Sequence, residues 1–68
     1  PNKEAPITGN DFTKVMDELD LKIKDVAEYW EIDRNTVRIY REHGSKPLPR
    51  NKMMRILVDD LKLNFGKQ

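Results

Sequence analysis

Apolar residues recur at helical spacing in four stretches of this chain. Phe12, Val15, Met16 and Leu19 stand at i, i+3, i+4 and i+7, one stripe of a first helix. Thr8 and Asp11 have the spacing of a capping box, and Ile7 and Phe12 sit where a hydrophobic staple fixes the entry of the chain. That helix is expected to begin near Thr8 and to end at Asp20. Ile23, Val26, Ala27 and Trp30 repeat the pattern over a short second helix, with Leu21 and Val26 at the staple positions. A three-residue turn, Glu31-Ile32-Asp33, follows, and Ile32 is expected to point back into the core. Asp33 suits the N-cap of a third helix, because its carboxylate can accept from the free N–H groups of the first turn. That helix is predicted over 34–43. It carries Val37 and Tyr40 inward and stops at Gly44, a residue suited to a left-handed cap.

Ser45 to Pro49 reads as a connector, since Pro47 and Pro49 preclude a continuous helix. A fourth helix is predicted over 50–63. Met54, Leu57, Val58 and Leu61 form its main stripe, while Met53, Ile56 and Leu63 lie round the other side. No segment alternates with period two for long enough to propose a strand. The expected fold is therefore all-α, a compact bundle of four short helices containing a helix-turn-helix. Residues 1–6, with two prolines, read as a flexible N-terminal arm, 7–65 as the folded domain and 66–68 as a tail.

Length and composition narrow the classes. The 68 residues suffice for one domain with an economical core. There is no cysteine, so neither a disulfide framework nor a thiolate metal site is expected, which is compatible with a reducing cytoplasm. No apolar run approaches the ~20 residues that span a bilayer, so no membrane association is expected. The N-terminus does not read as a secretory signal. The chain opens on Pro1, compatible with processing or with a piece of something longer.

Charge adds what the apolar pattern cannot. The formal net charge is +1, but its distribution is uneven. Residues 1–33 carry four lysines against nine carboxylates, a balance of −5. Residues 34–52 carry Arg34, Arg38, Arg41, Lys46, Arg50 and Lys52 against Glu42 alone, a balance of +5. A cationic segment inside an acidic or neutral chain is the footprint of a phosphate-seeking surface. Charge alone fits a solvated face equally well.

Catalytic chemistry is thinly provided. One histidine, His43, stands near the one serine, Ser45, without the partners of a triad, and no enzyme activity is expected. Asp17, Glu18 and Asp20, and again Asp59 and Asp60, lack the glycine-containing loop that a calcium hand requires, so no metal or other cofactor is expected. Trp30 and Tyr40 read as core residues before base-stacking ones.

Between Leu21 and Pro47 two helices are separated by three residues, the layout of a helix-turn-helix. Ala27 is small where the helices cross, and Val37 anchors the second on the first. This segment resembles the lambda-repressor-like, or XRE-type, helix-turn-helix family. Val26-Ala27, Ile32, Thr36-Val37 and Tyr40 stand at family positions, followed by Glu42-His43-Gly44 and Pro47. The likeness runs from about Phe12 to Leu61. Glu31 replaces the glycine common in the turn, and Glu42-His43-Gly44 falls one residue later than usual.

The resemblance implies a regulator, expected to be a bacterial or phage repressor in the cytoplasm of the cell or infected host, whose second helix enters the major groove of double-stranded DNA. On a helical wheel Asn35, Arg38, Ile39 and Glu42 lie opposite Val37 and Tyr40, with Arg34 and Arg41 on one flank. Arg34 and Arg38 are candidates for guanine, Asn35 for adenine and Ile39 for a thymine methyl. Lys22, Lys24, Thr36, Arg41, Lys46, Arg50 and Lys52 are candidate phosphate contacts. Met53, Ile56 and Leu63 exceed what one small core needs and mark a candidate homodimer interface, which would suit a palindromic operator. The competing class is a protein-interaction module on the same fold, such as an antirepressor or antitoxin.

Overall fold

The computed structural model describes residues 5–66, and four helices appear there in chain order. Helix α1 spans Gly9–Glu18, α2 Ile23–Trp30, α3 Arg34–Glu42 and α4 Asn51–Phe65. Residues 1–4 of the expected arm and residues 67–68 of the expected tail lie outside the described residues; Ala5 and Pro6 are exposed. The architecture is an all-α bundle in which α3 packs against both α1 and α2, and α4 against α1.

Local chemistry accounts for most of the boundaries. The Thr8 hydroxyl accepts from the Asp11 N–H at 3.1 Å, and the Asp11 carboxylate accepts from the Thr8 N–H at 2.9 Å. Both halves of the capping box are thus made, with Asp in place of the longer Glu. Asp20, at φ +58°, turns the chain out of α1. In front of α2 the Asp25 carboxylate accepts from the Lys22 N–H at 2.8 Å. Asp33 caps α3 by accepting from the Asn35 N–H at 3.0 Å. Gly44, at φ +61°, follows the end of α3, where a Cβ would be strained. His43 is the residue at that helix end, so the regular helix stops one residue short of the expected boundary.

The core is built from all four helices and the connector. Phe12, Val15 and Met16 of α1, Val26 and Ala27 of α2, Val37 of α3, and Met54, Val58 and Leu61 of α4 are buried, together with Ile7 and Leu48. Trp30 stacks on Phe12 with ring centroids 5.7 Å apart, and Tyr40 meets the same ring edge-on at 6.2 Å. Ile32 departs from expectation. It is 36% exposed and stands outside the core. Its N–H reaches the Ala27 carbonyl at 2.9 Å, so the backbone rather than the side chain closes the turn. Glu31 supplies that closure by adopting φ +59°, ψ +47°, the left-handed conformation that a glycine would adopt more cheaply.

Two features tie the N-terminal segment to the middle of the chain. Asn51, the first residue of α4, accepts from the Ile7 N–H at 2.9 Å and donates to the carbonyls of Ile7 and Leu48 at 2.8 and 3.0 Å. The Leu48 N–H adds a bond to the Ile7 carbonyl at 3.0 Å, which draws Leu48 inward. Gly9 brings α1 against the end of α3. A Cβ there would lie 2.6 Å from the Gly44 nitrogen and 2.7 Å from the Tyr40 carbonyl oxygen.

Candidate nucleic-acid interface

Helix α3 is held by its inner side and displayed by its outer one. Val37 is the only one of its nine residues that is buried, while Thr36, Tyr40 and Arg41 are half-buried. Arg34, Asn35, Arg38, Ile39 and Glu42 are exposed, so the wheel's division into two sides is the division the packing makes. Ile39 leaves 43% of its surface in solvent. A helix with its side chains is about 10–12 Å across, a thickness that a major groove ~12 Å wide admits.

The outward side chains do not stand independently. Arg38 donates through Nη1 to the Glu42 carboxylate at 2.7 Å, an i,i+4 ion pair with both side chains more than half exposed. Its Nη2 donates to Asn35 Oδ1. Three of the five outward residues therefore form one connected group. The signal that could have shown this was the four-residue spacing from Arg38 to Glu42, which places the two on one strip of the helix.

The candidate phosphate contacts separate into groups. Lys22, Lys24, Arg34 and Arg41 line one shallow depression at the start of α2, where Asp17 and Asp20 also stand. That convergence comes from α2 and α3 crossing and was not visible in the charge count. Lys46 and Lys52 are exposed in the connector and the first turn of α4. Thr36 and Arg50 belong elsewhere. They line a cleft of about 730 Å³ beneath α4, together with Trp30, Ile32 and Met53. The indole N–H of Trp30 is buried without an acceptor among the described residues.

On α4 the side away from the core remains open. Ile56 is 68% and Leu63 77% exposed, while Met53, 41% exposed, lines the cleft. Phe65 does not cover them but meets Tyr29 edge-on at 5.0 Å. The Tyr29 hydroxyl donates to Asp60 at 2.8 Å, and that bond raises the phenol above its ordinary pKa.

His43 Nδ1 donates to the Ile39 carbonyl of its own helix at 3.0 Å. Among the described residues no three histidine or carboxylate side chains gather as a metal site. No helix among the described residues is long and apolar enough to cross a membrane.

Comparison of the chain with known family models, curated proteins and solved structures finds no match.

Proposed function

We propose that this chain is a sequence-specific double-stranded DNA-binding domain of a transcriptional regulator, with α2 and α3 forming a helix-turn-helix and α3 reading the major groove. The observation that carries the reading is the outward side of α3, where Arg34, Asn35, Arg38 and Ile39 are all exposed on a helix anchored from behind by Val37. These residue types offer bidentate donors for guanine, an amide for adenine and an apolar surface for thymine. Lys22, Lys24 and Arg41, which share a depression with Arg34, add a sequence-independent attraction to phosphate that Asp17 and Asp20 partly offset. A repressor of bacterial or phage origin, working in the cytoplasm, is the form that the family resemblance implies.

Size bears on how such a domain would bind. The longest extent of the molecule is 34 Å, and successive major grooves on one side of a duplex are ~34 Å apart. One copy therefore covers one half-site, and a palindromic operator calls for two. The open side of α4 is the surface we assign to pairing, through Met53, Ile56 and Leu63. The same apolar surface favours the second reading, a module that binds a different protein. Sedimentation separates the two: a concentration-dependent dimer abolished by Ile56→Glu supports pairing of like copies, and a strict monomer removes it.

DNA binding is tested by fluorescence anisotropy on random duplex DNA across a salt series. The expected log–log slope corresponds to several released counterions, each released phosphate contact adding about −0.9. Absence of binding even at low salt overturns the proposal. With a sequence selected from a random library in hand, Arg38→Ala is expected to reduce discrimination between sites, whereas Lys46→Ala weakens every sequence alike.

A further inference from the structure

We infer that Glu42 is a positioning residue for Arg38, and that Asn35, Arg38 and Glu42 read DNA as one unit rather than as separate contacts. The inference rests on the DNA-binding reading and goes beyond it in assigning specificity to a carboxylate. An acidic side chain on a surface that approaches phosphate is electrostatically unfavourable, and Glu42 is the one acid between residues 34 and 52. It is exposed on the same outward side as the candidate readers. The structure gives it a partner there. Arg38 Nη1 bonds its carboxylate at 2.7 Å, and Arg38 Nη2 bonds Asn35 Oδ1.

The consequence is a guanidinium held from two sides. A free arginine on an exposed helix samples many rotamers, and that freedom is lost when it docks on a base. An arginine already braced along the helix by residues three before and four after it loses less. Guanidinium has five N–H donors, so two committed bonds leave three for a base edge. Asn35 is altered as well. Its Oδ1 accepts from Arg38, and the second lone pair of that oxygen is left to accept from adenine, so the bond to Arg38 orients the amide without removing it from the base. Arg38 and Asn35 thus set each other's geometry, and Glu42 braces the pair from one turn further on. Glu42 also opposes the loose electrostatic capture of arbitrary DNA, since it cancels local charge wherever no base compensates for the contact.

The test compares affinity for a library-selected sequence with affinity for random duplex DNA in the parent protein, Glu42→Ala, Glu42→Gln, Arg38→Ala and the Arg38→Ala/Glu42→Ala double variant. Glu28→Gln, which removes an exposed carboxylate from α2, controls for net charge. Glu42→Ala is expected to bind random DNA more tightly and to lose about fivefold or more of the specificity ratio. Glu42→Gln, which keeps an acceptor oxygen, should fall between. Glu28→Gln should shift both affinities together and leave the ratio unchanged. In the Arg38→Ala background, Glu42→Ala should change the ratio no further. A ratio unaltered by Glu42→Ala, or an equal loss with and without Arg38, overturns the coupling while leaving the DNA reading standing. A parent protein that binds no DNA overturns both. Nitrogen NMR of the arginine side chains supplies a readout without DNA: hindered rotation at the Arg38 guanidinium in the parent should be lost in Glu42→Ala, and its absence from the parent counts against the brace.

Discussion

Gly9 stands where two helix ends meet closely enough to exclude a methyl group, and Gly9→Ala therefore tests the packing of the α3 support directly. An alanine Cβ would sit 2.6 Å from the Gly44 nitrogen, 2.7 Å from the Tyr40 carbonyl oxygen and 2.9 Å from the His43 Cβ. The first two obstacles are backbone atoms, which cannot rotate away as a side-chain tip can. Relieving them means separating α1 from the end of α3. That separation strains the bonds from the Gly9 N–H to the Lys46 carbonyl at 3.2 Å and from the Asn10 N–H to the Gly44 carbonyl at 2.8 Å. Overpacking of this kind costs ~1–3 kcal/mol, and each strained backbone bond about 0.5–1.5 kcal/mol. Against these stands the gain of up to about 1 kcal/mol for replacing glycine by alanine in a helix. Taking central values, the balance is a destabilisation of about 3 kcal/mol, which in a domain of this size lowers Tm by roughly 12–24 °C. Circular dichroism followed through thermal and urea unfolding measures it, with Asn10→Ala as the control that changes propensity at an exposed neighbour. A Gly9→Ala protein as stable as the parent, or more so, would refute the close approach. The helix-propensity term alone predicts stabilisation, so the sign of the change decides the matter.

Other expectations follow from single contacts. Asn51→Ala removes three hydrogen bonds at once and strands partly buried backbone groups of Ile7 and Leu48, with an expected loss of about 1–3 kcal/mol in urea denaturation. Glu31→Gly relieves a left-handed residue that carries a Cβ, and a gain of up to about 1 kcal/mol is expected after the added chain entropy of glycine; a loss would mean the Glu31 side chain contributes what the turn needs. The Tyr29 phenol is raised by its bond to Asp60, by partial desolvation and by the Asp60 charge. Its contribution to stability is present below the unfolded tyrosine pKa of about 10 and lost as pH rises through the higher folded value. Asp60→Asn should accordingly move the Tyr29 phenol to lower pH in an ultraviolet titration, and an unchanged titration curve would contradict the contact.

Helices and caps were legible in the linear chain because their causes are local. Thr8 with Asp11, Asp33 before α3 and Gly44 after it act over a few residues, and the structure shows each doing so. The outward set on α3 was legible for a related reason: a helix of known phase with one anchored side, Val37, leaves the other side determined. Turn chemistry was legible only in part. The sequence showed a turn without a glycine, yet whether Glu31 would accept a left-handed conformation depended on the packing of α2 against α3. Ile32 was misplaced for the same reason, because direction within a turn follows no period.

What tertiary structure decided is what distant residues do to one another. Nothing in the chain near Gly9 announces that Tyr40 and Gly44 arrive there, and nothing near Asn51 announces Ile7. The gathering of Lys22 and Lys24 with Arg34 and Arg41 likewise depends on a helix crossing, as does the removal of Thr36 and Arg50 to the cleft below α4. Sequence by itself determined four helices and the composition of the exposed side of α3, since periodicity and capping are short-range. The assembly of that side into a braced group and a neighbouring cationic depression came only with the fold, because side-chain geometry and close approach are set by the packing of elements far apart in the chain.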